Sequence, residues 1–119
     1  MEKLKNEVSV DNHFRDRSPL VRAIYDSLLK AAKRFGPVRE DPKKTSIHLV
    51  RKTAFAGIQT RREWLILTVK SRDDIRSPRV MKREQTSANR WHLEVKLSGP
   101  DEVDAEIIGW LEKAYDIAG

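Results

Sequence analysis

The sequence predicts a two-layer α+β domain: an N-terminal helix, a mainly antiparallel sheet of four to five strands, and a C-terminal helix. Three observations lead there. Apolar residues recur every three or four positions after residue 18 and again after residue 102, the spacing of a helix with one buried stripe. Between 38 and 97 the period drops to two and β-branched and aromatic residues take over. Most connections inside that middle stretch are too short for a parallel crossover, which needs a dozen residues or more.

The elements follow in order. Residues 1–14 read as an N-terminal arm with Val8, Val10 and Phe14 as apolar anchors, and 15–119 as one domain. Ser18-Pro19 reads as a helix cap followed by proline at the first helical position, where a missing N–H is harmless. Leu20, Val21, Ile24, Tyr25, Leu28, Leu29 and Ala32 form the stripe, and Gly36-Pro37 ends the helix. Strands are expected over 46–51, 54–59, 64–70 and 91–97, with a short one at 79–83. In the last run Trp91, Leu93, Val95 and Leu97 share one face while Arg90, His92, Glu94 and Lys96 share the other, so one face is buried and one wet. The stretch 71–89 is expected to be a mobile loop or a loop followed by a short edge strand. Ser98-Gly99-Pro100-Asp101 opens a last helix, with Asp101, Glu102 and Asp104 where the helix dipole favours negative charge. Its inward stripe is Val103, Ile107, Leu111 and Ala114.

Composition narrows the function classes. The chain has 119 residues, no cysteine, 39% hydrophobic and 35% charged residues. A single core of this size folds without disulfides or a structural metal cluster, and thiol chemistry is excluded. No apolar run approaches the ~20 residues of a membrane span, and the first residues are charged, so a cytoplasmic protein without a membrane partner is expected. The net charge of +6 is unevenly spread: residues 41–96 carry 14 basic and 6 acidic side chains, residues 97–119 carry 1 and 6. Local field governs binding more than total charge does, so the middle segment is where a partner is sought.

Candidate chemistry is sparse. No nucleophile elbow, P-loop or metal-ligand spacing is present, so no catalytic residue, metal or cofactor is assigned. The richest feature is basic: Lys43 and Lys44, Arg51 and Lys52, Arg61 and Arg62, Arg79, Lys82 and Arg83, and Arg90. Were the second sheet face uncovered, these charges would surround Trp64, Ile66, Val50, His48 and His92, a mixture suited to phosphates and stacked bases. His48 and His92 point to that open face by strand parity, and with Arg90 they form a candidate pocket for an acidic ligand or for proton exchange.

Several strings resemble a bacterial family of domains of unknown function: Val10-Asp11-Asn12-His13-Phe14, Gly36-Pro37-Val38, Lys44-Thr45-Ser46-Ile47-His48-Leu49, Phe55-Ala56-Gly57, Val103-Asp104-Ala105 and Ala114-Tyr115. Members of that family occur alone and fused behind restriction-endonuclease-like domains, which implies an accessory role near nucleic acid. It is also remotely similar to small domains likened to iron chaperones, which implies a metal or small ligand. Three expectations result. The first is a non-enzymatic binding module holding nucleic acid or another anionic partner on a basic sheet face. The second is a small-ligand protein or enzyme using His48, His92 and Arg90. The third is a homodimer formed through the open face.

Overall fold

Ser18 caps the first helix as its Ser-Pro context predicts: its hydroxyl oxygen accepts the Leu20 N–H at 3.2 Å. In the computed structural model, which describes residues 8–119, this helix, α1 (Pro19–Lys33), buries Val21, Ile24, Tyr25, Leu28, Ala31 and Ala32. Leu20 leaves the expected stripe and is exposed. The chain turns at Gly36, whose φ of 150° is one that side-chain-bearing residues rarely adopt.

Six strands follow: β1 (Arg39–Pro42), β2 (Ile47–Val50), β3 (Ala54–Thr60), β4 (Leu65–Ser71), β5 (Val80–Ser87) and β6 (Arg90–Leu97). They form one sheet, every pairing antiparallel, in the order β1-β2-β3-β4-β6-β5. The sheet therefore exceeds the expected four to five strands. The added strand, β1, reads Arg-Glu-Asp-Pro and carries no apolar alternation, so only its pairing with β2 reveals it; Pro42 is tolerated because the strand is an edge. The stretch 71–89 resolves into a loop and the eight-residue β5, longer than the expected edge strand. β6 lies between β4 and β5, so the 72–79 loop spans the width of one strand.

The last helix starts later than expected. Pro100–Glu102 form a 3₁₀ turn, and Asp104 caps α2 (Ala105–Ile117) by accepting the Ile107 N–H at 3.2 Å. Ile107, Leu111 and Ala114 are buried as expected, joined by Trp110 and Tyr115. Both helices contribute to one core with Ile47, Leu49, Phe55, Ile58, Leu67, Leu93, Val95 and Leu97, which is the two-layer α+β arrangement.

Of the arm, residues 1–7 lie outside the described residues. Asp11–Phe14 form a 3₁₀ turn, Val10 and Phe14 pack against the core, and the Phe14 ring lies 5.2 Å from that of Tyr25. Val8 is exposed. Among the described residues no helix is long and apolar enough to cross a membrane.

Candidate functional site

Alternation along β3 sends Ala56 and Ile58 to the helices, and Gly57 and Gln59 to the opposite, open face. Continued strictly, it would send Phe55 to the open face as well. A bulge intervenes: Leu49 pairs with Ala56 but Val50 pairs with Ala54, leaving Phe55 as the extra residue. Its ring turns into the core, where it meets Tyr115 edge-on at 5.3 Å and is fully buried. Two successive open-face positions of β3 thus present no side chain, one emptied by the bulge and one by glycine.

The result is a cleft of about 230 Å³ running across the open face. Ala54, Phe55, Ala56 and Gly57 make its apolar floor, Ser46, His48 and Gln59 line one side, and Thr68, Lys70 and His92 the other. Among the described residues no carboxylate lines it. Lys70 and His92 are direct cross-strand partners on β4 and β6, and Glu84 of β5 is paired with His92 from the far side. His48 faces Gly57 on β3, where a Cβ would meet the imidazole Cδ2 at 3.7 Å, an ordinary contact. The floor therefore has room for a small side chain.

The expected pair, His48 and His92, faces the same cleft, but β3 and β4 separate their strands, which sets the backbones roughly 14 Å apart at the usual strand spacing. They contact opposite ends of the cleft and form no acid–base pair. Arg90 leaves the expected set: it sits at the β5–β6 turn, donates to the Asn89 carbonyl at 2.8 Å and does not line the cleft. Lys70 takes its place. It shares the open-face parity of Trp64 and Ile66 along β4.

The predicted aromatic patch is also altered. Ile66 and Val50 are each only 6% exposed, and Trp64 is half-buried with the Lys96 ammonium 4.3 Å from its ring centre. The apolar surface expected to bind bases or a second copy is therefore largely covered. Trp91, assigned to the core face by parity, packs partly buried against the core.

The ten basic residues separate. Arg79 donates to both Asp104 carboxylate oxygens at 2.9 Å, to Glu106 at 3.1 Å and to the Glu102 carbonyl at 2.8 Å, tying the start of β5 to the start of α2. Arg83 donates to Asp74 at 2.7 Å and to the Ile75 carbonyl at 3.0 Å, holding the 72–79 loop. Arg51 lies over the Tyr115 ring at 4.4 Å and donates to the Tyr115 carbonyl near the end of α2. Lys43 pairs with Asp41 at 3.0 Å. Lys44, Lys52, Arg62 and Lys82 are exposed on different turns and strands, and Arg61 bonds the Thr60 carbonyl and Gln59. Of the set, Arg51, Arg79 and Arg83 are thus engaged within the fold, while Lys44 and Arg61 line a common cavity.

Local electrostatics follow these contacts. Asp104 is held below the usual carboxylate range by the Ile107 N–H and then by Arg79. Burial weakens the Arg79 charge, but its bonds to Asp104 and Glu106 outweigh that and raise it on balance. Burial pushes the Tyr25 hydroxyl up, reinforced by its 2.6 Å bond to Glu40. Among the described residues no three His, Asp or Glu side chains are grouped to hold a metal ion.

A family model covers residues 10–118 and is described as "Domain of unknown function (DUF5655)". The chain belongs to this family. No curated protein and no solved structure matches it.

Proposed function

We propose that this domain is a binding module for a small acidic ligand with an apolar body, held in the cleft on the open sheet face. The observation that carries the reading is the cleft's makeup: an apolar floor left vacant by the Phe55 bulge and Gly57, rimmed by Lys70, His48 and His92 with no lining carboxylate among the described residues. Apolar atoms of a ligand would replace water over the floor, and its acid group would take hydrogen bonds from the rim. The cleft lies below the roughly 300 Å³ at which drug-sized sites begin, so the ligand is small. Separation of the two imidazoles favours binding over proton-transfer catalysis.

The test uses benzoate and benzylamine, which share an apolar ring and differ in charge, followed by ligand-observed NMR. Benzoate is expected to bind wild type more tightly than benzylamine, to lose affinity with Lys70→Gln, and to lose detectable binding with Gly57→Val, whose side chain rises from the floor. Equal binding of the two probes, or benzoate binding untouched by Gly57→Val, refutes the reading.

A nucleic-acid role, with the cytoplasmic location and the association with restriction-endonuclease-like domains that the resemblance implies, draws less support from the geometry. Arg51, Arg79 and Arg83 are committed within the fold, which leaves fewer cations free to follow a nucleic-acid backbone. The homodimer reading loses the apolar patch that motivated it.

A further inference from the structure

A second cavity, of about 310 Å³, opens where the arm, the entry to α1, the β1–β2 turn and the β3–β4 turn meet. Unlike the cleft it is polar. Arg17, Lys44, Arg61, His13 and Thr45 line it, and no carboxylate among the described residues does. Elsewhere the arginines Arg22, Arg76, Arg79 and Arg83 are matched with carboxylates. Arg17, Lys44 and Arg61 form no ion pair among the described residues.

Two of these cations are held side by side by the fold. The Arg17 and Arg61 guanidinium groups both reach the Thr60 carbonyl oxygen, at 3.5 and 3.2 Å. Arg17 is further fixed by its Nε bond to the Thr60 hydroxyl at 3.1 Å, and that hydroxyl donates to the His13 carbonyl at 2.7 Å. The His13 ring in turn bonds the Lys43 carbonyl at 2.7 Å, which ties the arm to the turn bearing Lys44. Asp16, at φ 61°, makes the left-handed step just before Arg17, a conformation Asp adopts more readily than most residues. Like charges gathered on one neutral acceptor repel, and an anion among them removes that repulsion while accepting their remaining donors.

We propose that this cavity is a site for a tetrahedral oxyanion, the phosphoryl group of a small molecule. Arg17 and Arg61 supply guanidinium donors, Lys44 a point charge and Thr45 a hydroxyl. A small molecule is favoured over a nucleic-acid backbone because the cations converge on one cavity bounded by the arm and two turns, whereas a backbone is met by a row of them. The site is distinct from the cleft and stands or falls without it.

The experiment is titration of the full chain with inorganic phosphate, read by amide chemical shifts, with chloride replaced to keep ionic strength constant. Expected are saturable shifts at residues around 12–17, 43–45 and 60–61, with a Kd on the order of 1 mM. Lys44→Gln and Arg61→Gln, both at exposed positions, are each expected to weaken binding about ten-fold. Gly57→Val, in the cleft, is expected to leave it unchanged. An oligonucleotide lacking a terminal phosphate serves as a competitor. Displacement of phosphate by it would overturn the small-molecule assignment. Absence of saturable shifts in wild type, or phosphate affinity unchanged in both glutamine variants, would overturn the site itself.

Discussion

Replacing Arg79 by methionine separates a structural role from a binding one. The side chain is 25% exposed and its carboxylate partners Asp104 and Glu106 are 49% and 46% exposed. Solvent therefore screens the two ion pairs, and about 0.5 kcal/mol for each is a fair expectation. The Glu102 carbonyl, which accepts from Arg79 at 2.8 Å, loses its partner at about 1 kcal/mol. Methionine keeps most of the aliphatic packing. The expected loss is about 2 kcal/mol, which for a domain of this size lowers Tm by about 8 °C. The pH dependence gives a second handle. The Asp104 carboxyl is held low in the fold, so its contribution is full above its unfolded value of about 3.9 and fades as pH falls through the folded value. The gap between wild type and Arg79→Met should therefore be full at pH 7 and narrow below about pH 4. Thermal melts by circular dichroism across that range test both. The share held by the Glu102 carbonyl, about half of the gap, does not titrate and should remain. A Tm within about 2 °C of wild type at neutral pH, or a gap that does not narrow at all in acid, would refute this account of Arg79.

Three further outcomes are expected. Gly36→Ala should destabilise by about 2 kcal/mol or more in urea titration, because a Cβ there needs φ 150° and would lie 2.5 Å from the Tyr115 hydroxyl, which is pinned to the Pro37 carbonyl; near-neutral behaviour would contradict this. Tyr25→Phe should lose about 1 kcal/mol with the Glu40 bond. Because the Tyr25 hydroxyl is raised in the fold, its contribution is complete below the unfolded value of about 10 and declines above it, so this gap should narrow in alkaline melts. Titration of labelled single-stranded and duplex oligonucleotides at two salt concentrations should give weak binding with a log–log slope of about −2 or shallower; a slope near −6 would restore a nucleic-acid face.

The candidate sites were legible only in part. Strand parity brought His48 and His92 to one face, and the parity of Trp64 and Ile66 along β4 extends to Lys70. Parity cannot reveal the vacancy that makes the cleft, because it depends on a pairing irregularity between Leu49/Val50 and Ala54/Ala56. A sequence hint existed in Phe55-Ala56-Gly57, where an aromatic stands on the wet parity beside a glycine. Arg17 gave no signal at all, since an arginine just before a helix cap is ordinary; it joins Lys44 and Arg61 through contacts spanning tens of residues.

By itself the sequence determined the fold class, the capped start of α1, the two-residue alternation of β2, β3, β4 and β6, and the antiparallel pairing through short turns. These are local properties, set by periodicity, turn chemistry and cap side chains within a few residues of one another. The tertiary structure alone decided that β1 exists, that β6 separates β4 from β5, that the bulge buries Phe55, and which cations find carboxylates. Each of those depends on which distant segments come to lie side by side, and the free energy that selects among such arrangements belongs to the packed core and its hydrogen bonds, not to any window of the chain.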